Sequence, residues 1–508
     1  MDLLRVDLPK SARRALENPL LVSKWNARAE NAKHRVVVFG SKHKSLSAKP
    51  LTKVLSELAE DWQLETLTTK SAQSLLTRAG TLHILSAGLV DAPETDGHGQ
   101  RLKISDFSRM RDLIGGFWRT QKFLGDTDVL FCDLNDEEIL GALIGVGLAS
   151  YSFLPTLREP KKEKSLQIHF SLSKGNIARE LIDTAVAIVT AMNLSRHLAN
   201  LPASSANPET LAEFFADYFK GRPGLKVDVW DLARLKKEKM GLLLGVGHGS
   251  ETGARFVHLR YRPKKSKGAP LAFVGKGVTF DTGGLDIKPS AGMRWMKKDM
   301  SGAAIVAGVC DFVTSLSLKT ACDFYLPLAE NAISDRATRP GDVHQSRAGH
   351  FVEIDNTDAE GRLVMADAID VAVTQQETPS ALIDVSTLTG AMRVAVGLDV
   401  AGFFSNNDKL AREAEVAAQK MGELAWRMPL VQKYAKSLNS SYADFKNSSD
   451  GGFGGAITAA LFLEKFVGKV PWLHFDVMAW NNSADGALSD GSNAQCLQIL
   501  AGMLLARE

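Results

Sequence analysis

Apolar and polar positions alternate along the chain in two spacings, which predict strands and helices in turn. Short apolar runs with β-branched residues, such as residues 35–40, 271–274 and 381–386, are typical of buried strands. Longer segments, such as residues 176–198 and 408–420, place apolar residues three or four positions apart, as amphipathic helices do. Because strands separated by helices pair in parallel through right-handed crossovers, the pattern predicts an α/β fold.

The same pattern predicts two domains, which agrees with a chain of 508 residues that exceeds one ordinary hydrophobic core. Residues 1–170 are expected to form a smaller N-terminal α/β domain, and residues 171–204 a linker helix. Residues 205–508 are expected to form a larger domain in which a mixed sheet is sandwiched by helices. The charged run at residues 161–164 follows two prolines and is interpreted as a loop near the end of the first domain.

Composition limits the class of protein and its partners. Hydrophobic residues make up 45% and charged residues 23% of the chain, as in soluble globular proteins. The net charge of +3 predicts no general attraction to nucleic acid or membranes, although the first fifty residues carry 11 Lys and Arg against 4 Asp and Glu. Four scattered cysteines in apolar runs and the lack of a signal-peptide pattern indicate buried free thiols in a cytoplasmic protein.

Two acidic residues on one predicted turn are the first candidates for chemistry. Asp358 and Glu360 follow a predicted strand at residues 350–354 and precede an apolar helix, with Arg362 close behind. Strand-to-helix turns are where open α/β sheets place ligand sites. Two carboxylates repel each other unless a cation lies between them, and oxygen ligands suit hard or borderline divalent metals. For this segment alone, an N-cap Asp with a first-turn Glu explains the pattern equally well.

A second stretch gives the metal hypothesis more weight. Lys276 and Asp281 follow the predicted strand at residues 271–274, beside glycine pairs that let the backbone approach a ligand closely. Asp299 precedes another predicted helix, which begins with small residues. Four carboxylates and a lysine at strand ends fit a site in which two metal ions share a nucleophilic water.

Four sequence blocks carry these candidates: GKGVTFDTGGLDIKPS at residues 275–290, MKKDMSGAA at 296–304, NTDAEGRL at 356–363 and STLTGA at 386–391. In this order and spacing they resemble the leucine aminopeptidase family, the M17 cytosolic metalloaminopeptidases. NTDAEGRL is the signature octapeptide of that family and is complete here, and the resemblance extends over about residues 170–480. It implies a hydrolase that removes N-terminal amino acids from peptides, with metal-activated water as nucleophile.

The resemblance also implies a set of metal ligands. Asp281 and Glu360 would bridge two divalent metal ions, Asp358 would complete one site, and Lys276 and Asp299 would complete the other. The ions implied are zinc or manganese, with magnesium or cobalt as alternatives.

Two cationic residues are implied to be catalytic. Lys288 would stabilise the tetrahedral oxyanion, and Arg362 would hold a bicarbonate ion that acts as the general base. No histidine occurs in the four blocks, so a histidine is not expected to carry the proton.

The implied substrates are peptides with a free N-terminus, because an enzyme that ligates the α-amine to a metal cannot cut internal bonds. The first side chain is expected in an apolar pocket that prefers residues such as Leu, while the Leu388 carbonyl helps to hold the amine. After Asp476 the chain reads DVMAWN instead of the family's DIAG with small residues, which leaves the Leu preference open. The pocket residues implied are Met296, Thr387, Leu388, Gly390 and Met478.

Met478 has two possible roles within this altered segment. It lines the pocket, or it continues a strand predicted at residues 473–478 and packs in the core. The resemblance further implies a homohexamer. An additional DNA-binding role rests only on the basic first fifty residues and is opposed by the low net charge. A hydrolase that uses the same metal cluster on a phosphate or another amide is the second alternative.

Overall fold

The computed structural model describes residues 20–22, 34–45, 49–77, 80–90, 102, 104–121, 126–153, 168–266, 268–449 and 451–508. The charged run at residues 161–164 and most of the basic first fifty residues lie outside the described residues. In the described part of the chain, no helix has both the length and the apolar character that crossing a membrane requires.

The N-terminal part of the chain forms a six-stranded sheet with helices. Its strands are β1 (Leu20–Val22), β2 (His34–Phe39), β3 (Ala72–Thr77), β4 (Gly80–Ser86), β5 (Thr127–Cys132) and β6 (Ile168–Leu172). Its helices are α1 (Lys49–Ser56), α2 (Asp61–Leu64), α3 (Asp106–Thr120) and α4 (Asp136–Ala149), with a 3-10 helix at Ala87–Leu89. The strand order is β1-β6-β5-β2-β4-β3, and every neighbouring pair is parallel except β3 with β4. The predicted N-terminal α/β arrangement is therefore observed in the described ranges.

The rest of the chain begins with a long helix and alternates strands with helices. Its strands are β7 (Leu225–Trp230), β8 (Arg255–Tyr261), β9 (Leu271–Gly275), β10 (Gly277–Asp281), β11 (Cys322–Asn331), β12 (Val343–Gln345), β13 (Phe351–Glu353), β14 (Ala381–Ser386), β15 (Ala401–Ser405), β16 (Ala425–Arg427), β17 (Phe445–Lys446), β18 (Trp472–Asp476), β19 (Trp480–Asn481) and β20 (Gly491–Ser492). Its helices are α5 (Arg179–Asn200), α6 (Pro208–Phe219), α7 (Leu232–Lys237), α8 (Gly241–Gly247), α9 (Ser290–Met293), α10 (Ser301–Ser315), α11 (Glu360–Val373), α12 (Gly390–Val396), α13 (Asp408–Lys420), α14 (Gly455–Val467) and α15 (Leu497–Leu505), with 3-10 helices at Met296–Met300 and Gln432–Leu438.

Helix α5 leads from the first sheet to the second and packs against α4 and α10. Its residues from Ala191 to Asn200 are all buried, because they contact elements from both parts of the chain. The helix begins at Arg179, after Ala178 and without a side-chain cap, so it starts three residues later than the spacing predicts.

The second sheet is mixed and has helices on both faces. Its strand order is β16-β15-β18-β14-β9-β11-β8-β7, and β10 pairs with β11. The central strands β18, β14, β9 and β11 are parallel, whereas β15, β8 and β7 pair antiparallel with their neighbours towards the centre. Helix α10 covers one face, and α11 and α14 cover the other. This arrangement confirms the predicted mixed sheet sandwiched by helices.

The parallel order places the carboxyl ends of β9, β14 and β18 side by side. Lys276 directly follows β9, and its backbone N–H donates to the Val385 carbonyl at 3.0 Å. The Val477 N–H, just past β18, donates to the Ser386 carbonyl at 2.9 Å. Candidate residues that follow these strands therefore lie at one edge of the sheet, where open α/β sheets place ligand sites.

Two predicted strands differ from the observed ones. The strand predicted at residues 350–354 is the three-residue β13, and it belongs to a separate small sheet with β12 and β17. The strand predicted at residues 473–478 ends at Asp476. Since the neighbouring strand β14 ends at Ser386, the ladder has no partner beyond that point. Val477 and Met478 therefore lie past the end of β18.

Candidate metal centre

Lys276 lies at the centre of one half of a buried charged cluster. Its ammonium nitrogen Nζ is 2.7 Å from Oδ2 of Asp299 and 2.9 Å from Oε1 of Glu360. It also donates a hydrogen bond to the Thr387 carbonyl at 3.1 Å. The three charged side chains are nearly inaccessible to solvent, so each depends on the others for charge compensation.

Lys288 lies in the other half of the cluster. Its Nζ is 2.8 Å from Oδ2 of Asp281 and also contacts Oδ1 of Asp358. The second oxygen of Asp281 accepts hydrogen bonds from Asn331 Nδ2 at 2.8 Å and from the Gly283 N–H at 2.9 Å. These bonds fix the Asp281 carboxylate at the end of β10, where it faces both halves of the cluster. Asn331 was not predicted, because it lies at the end of β11, fifty residues from its partner.

The cluster has the geometry and the donor atoms of a metal site. One oxygen from each of Asp281, Asp358 and Glu360 lies within 4.8 Å of the others. Oε2 of Glu360 is buried and has no hydrogen-bond partner. Because a buried carboxylate oxygen is rarely left unpaired, this atom points to a cation as its missing partner. Carboxylate oxygens with a single amine, which Lys276 would provide in its neutral form, are a donor set that suits a borderline or hard divalent metal.

The charge balance agrees with this fit. Four carboxylates face two ammonium groups, which leaves an excess of negative charge in the cluster. Burial and repulsion from Asp281 raise the pKa of Glu360 to about 8, and the same two causes raise the pKa of Asp358. Burial opposes the charge on Lys276, but the carboxylates of Asp299 and Glu360 raise its pKa above the ordinary value. A divalent cation would relieve the repulsion among the carboxylates.

Asp358 does not cap the helix that follows it. Helix α11 begins at Glu360, its N-cap position is Ala359, and no side chain caps it. The Asp358 side chain contacts Lys288 instead. The capping explanation that the sequence left open is therefore wrong for Asp358.

Gly361 provides the space that Lys276 occupies. A Cβ atom at this position would lie 2.5 Å from Nζ and 2.6 Å from Cε of Lys276. A glycine near the start of a helix costs about 1 kcal/mol relative to alanine, so close packing explains its presence. Gly361 was not predicted, although a glycine between Glu360 and Arg362 of the octapeptide is visible in the sequence.

Gly361→Ala is expected to displace the Lys276 side chain and to lower the amount of bound metal. Neither Nζ nor Cε of a fully buried lysine can move without separating it from Asp299 or Glu360. Metal content per chain, measured after dialysis, tests this expectation. Gly292→Ala is the matched control, since a Cβ there meets no atom within 4 Å. Equal metal content in the two variants would show that Gly361 does not position Lys276.

Arg362 lies beside the cluster on the first turn of α11. Its Nη1 donates to the Asn447 carbonyl at 2.7 Å, whereas its Nε is buried and has no hydrogen-bond partner. Burial lowers the pKa of Arg362 to about 10, so the side chain remains a cation at neutral pH. Asn447 was not predicted; its side-chain oxygen accepts the Asp355 N–H at 2.9 Å and thereby holds the turn before Asp358.

All of the candidate residues line a single cavity of about 470 Å³. Thr387 Oγ1 donates to Oδ1 of Asp299 at 2.6 Å, which links the metal cluster to the turn after β14. Asp476 holds the same turn, since its carboxylate accepts the N–H groups of Leu388 and Thr389. The predicted residues that line this cavity are Lys276, Asp281, Lys288, Met296, Asp299, Asp358, Glu360, Arg362, Thr387, Leu388, Gly390 and Met478. Their individual roles stay predictions.

Met478 is half-buried and lines the cavity rather than the hydrophobic core. Val477, the residue before it, is buried at 4% exposure and belongs to the core. Val477 lines the cavity as well, so both residues border it, and a role of Met478 in substrate binding stays a prediction.

Comparison with known proteins identifies the family of the chain. Residues 193–501 match the family model described as the cytosol aminopeptidase family, catalytic domain, of Peptidase M17. The "Probable cytosol aminopeptidase" of Bdellovibrio bacteriovorus is 43% identical over 336 residues, which cover 66% of this chain and 67% of that protein. The cytosol aminopeptidase of Encephalitozoon cuniculi is 39% identical over 363 residues, which cover 71% of this chain and 73% of that protein.

Solved structures are similar over nearly the whole chain. The crystal structure of the cytosol aminopeptidase from Coxiella burnetii has a TM-score of 0.79 and 31% identity, covering 96% of this chain and 99% of that chain. The bottromycin maturation enzyme BotP in complex with Mn has a TM-score of 0.79 and 26% identity, covering 94% of this chain and 99% of that chain. The chain thus belongs to the M17 cytosol aminopeptidase family and is a metal-dependent hydrolase that removes N-terminal amino acids from peptides.

Proposed function

We propose that this aminopeptidase works with two divalent metal ions held by Lys276, Asp281, Asp299, Asp358 and Glu360. The observation that carries the proposal is the unpaired, buried Oε2 of Glu360 within a cluster that has excess negative charge. Manganese is the first ion to test, because BotP is described in complex with Mn; zinc is the second, followed by magnesium and cobalt. When bound, such ions act as Lewis acids and lower the pKa of a coordinated water.

The chain's own residues supply positioning and charge. Lys288, between Asp281 and Asp358, is placed to donate to an oxyanion that develops at the scissile carbonyl. Arg362 has a free Nε and a buried positive charge, which together suit a small anion such as bicarbonate as the general base. Leu388 lines the cavity, and its carbonyl would serve as an acceptor for the α-amine of the substrate.

The first side chain of the substrate is proposed to lie against Met296, Thr387, Gly390 and Met478. Met296 and Met478 supply flexible apolar walls, and Gly390 leaves open space because a Cβ there would meet no atom within 4 Å. An apolar first residue such as Leu fits these walls.

A panel of aminoacyl anilides, combined with metal analysis of the purified protein, tests the proposed function. Hydrolysis of Leu-anilide with two metal ions per chain is the expected result. Phenyl phosphate serves as the control for a phosphatase that uses the same cluster. Hydrolysis of phenyl phosphate without hydrolysis of any anilide would overturn the proposal.

Met478→Ala is expected to enlarge the pocket and to change substrate preference. A bulky first residue such as Phe should gain relative to Leu or Ala by about 1–3 kcal/mol, the usual scale for apolar pocket changes. The measured quantity is the ratio of kcat/KM values for Phe-, Leu- and Ala-anilides in both proteins. Metal content should stay the same, because Met478 is not one of the proposed metal ligands. An unchanged ratio with lowered stability would show that Met478 acts only in packing.

We further propose that the enzyme is a cytoplasmic homohexamer. The cysteines within the described residues, Cys132, Cys310, Cys322 and Cys496, are buried and free, as is usual in a reducing compartment. The curated relatives are named cytosol aminopeptidases. Light scattering on the purified protein measures the molar mass, and a monomeric value would exclude the hexamer.

A further inference from the structure

Lys298 is a buried cation in the cavity that the metal cluster does not use. It lies in the 3-10 helix Met296–Met300, its residue is only 5% exposed, and it lines the cavity. Among the residues that the structure describes, no carboxylate lies within 4.0 Å of its ammonium and no side-chain hydrogen bond forms there. A buried lysine without such a partner is rare. Its position on the cavity wall suggests that the missing partner enters from the cavity.

The nearest acidic side chains are already engaged elsewhere. Oδ1 of Asp299 accepts a hydrogen bond from Thr387 Oγ1, and its Oδ2 lies 2.7 Å from Nζ of Lys276. Asp476 accepts hydrogen bonds from Leu388 N, Thr389 N and Thr389 Oγ1 at 3.0, 3.1 and 2.6 Å. Their charges act on Lys298 through space, but their oxygens are directed to other donors.

A second cation lies on the same side of the cavity. Arg393 is in α12, lines the cavity, and interacts electrostatically with Lys298. No described carboxylate lies within 4.0 Å of its guanidinium. Lys298 and Arg393 thus add positive charge to the cavity that Met296 and Met478 also line.

We propose that Lys298, with Arg393, selects peptides whose first residue has an acidic side chain, such as glutamate, over the neutral isostere glutamine. The inference rests on the proposed function, since the first side chain must lie on this side of the cavity. The apolar walls of Met296 and Met478 would contact the aliphatic part of a glutamate side chain. Its carboxylate would then accept hydrogen bonds from Lys298 and gain from the charge of Arg393. A first residue that is basic would be rejected by the same two cations.

The test compares Glu-, Gln-, Leu- and Lys-anilides with the metal-loaded, full-length enzyme. Glutamate and glutamine have nearly the same shape, so the ratio of their kcat/KM values reports on charge alone. We expect Glu-anilide to exceed Gln-anilide by about 10-fold or more, the scale of a hydrogen bond to a charged group. Lys298→Met should bring the ratio close to that of a neutral pocket, and Lys298→Arg should retain a preference for Glu.

Lys297→Met is the matched control. Lys297 is the neighbouring residue, but its Nζ donates to the Asn200 carbonyl at 2.7 Å and it does not line the cavity. This variant removes the same charge one position away and should keep the wild-type ratio of Glu to Gln.

A wild-type ratio at or below one would overturn the inference, and so would an unchanged ratio in Lys298→Met. If Lys298→Met does not fold, inhibition of the wild-type enzyme by free glutamate and glutamine decides instead, and equal inhibition constants would count against the inference. Hydrolysis of Leu-anilide distinguishes failure of this inference from failure of the proposed function. If Leu-anilide is cleaved while Glu and Gln do not differ, only the acidic selectivity fails. If no anilide is cleaved by the metal-loaded enzyme, the proposed function itself fails.

Discussion

Asp358→Asn and Glu360→Gln should each lose bound metal and nearly all aminopeptidase activity, with a much smaller change in thermal stability. Each substitution keeps the shape of the side chain and removes a negative charge that the proposed cations need. Glu360 is the more sensitive position, because its Oε2 has no partner within the protein. In the metal-free protein, removal of either charge should reduce the repulsion that raises the pKa of the remaining carboxylates.

Metal content and the melting temperature, measured on the same samples, separate a ligand from a structural residue. A helix-capping residue would cost about 1 kcal/mol of stability on substitution and leave metal binding intact. Asp355→Asn is the matched control, since Asp355 lies on the same turn, contacts Ser448 and Lys446, and does not line the cavity. Full metal content and full activity in both cluster variants would contradict the proposed metal site.

The position of the site could be predicted because its residues follow strand ends. Lys276 and Thr387 come directly after the buried strands β9 and β14, whose apolar runs are visible in the sequence. Because the carboxyl ends of parallel strands lie at one edge of a sheet, the strand pattern alone predicts that these residues are close together. The spacing within the octapeptide likewise predicted that Asp358 and Glu360 belong to the site. The strand before them, β13, nevertheless lies in a small separate sheet.

The residues that support the site could not be predicted in the same way. Asn331 holds Asp281, and Asn447 holds both the turn before Asp358 and the guanidinium of Arg362. Each lies dozens of residues from its partner, and asparagine is common in ordinary turns. Only the fold shows which asparagines face the cluster.

The buried charge of Lys298 in the cavity is a second feature that the sequence pattern could not predict. Lys298 lies between Lys297 and Asp299 in a run of charged residues, where a lysine is usually solvated. The 3-10 helix at Met296–Met300 directs Lys297 to the Asn200 carbonyl, whereas Lys298 lines the cavity. The direction of these two neighbouring side chains depends on backbone geometry, which neither periodicity nor composition reports.

Lys288→Ala and Arg362→Ala should keep the metals and lose rate, in contrast to the ligand variants. The Lys288 ammonium contacts Asp281 and Asp358, two of the proposed metal ligands, and would compete with a bound cation for their oxygens. Its removal should leave metal affinity equal or higher. The loss of an oxyanion donor should lower kcat by about 10²–10³-fold. Metal loss in Lys288→Ala would show that Lys288 holds the carboxylates in place for the metal and is not a catalytic group.

Arg362→Ala addresses the anion site separately. Removal of the guanidinium leaves the Asn447 carbonyl without its donor and should cost some stability, as loss of a buried hydrogen bond does, about 1–3 kcal/mol. If Arg362 holds the general base, kcat should fall while metal content stays at the wild-type level, and added bicarbonate should stimulate the wild-type enzyme but not the variant. Bicarbonate can act through Arg362 only where the guanidinium offers a free donor, which Nε does. Equal stimulation of both proteins by bicarbonate would show that the anion binds elsewhere. A lower metal content together with a lower kcat would show that Arg362 supports the ligand Glu360, which lies two residues before it on α11.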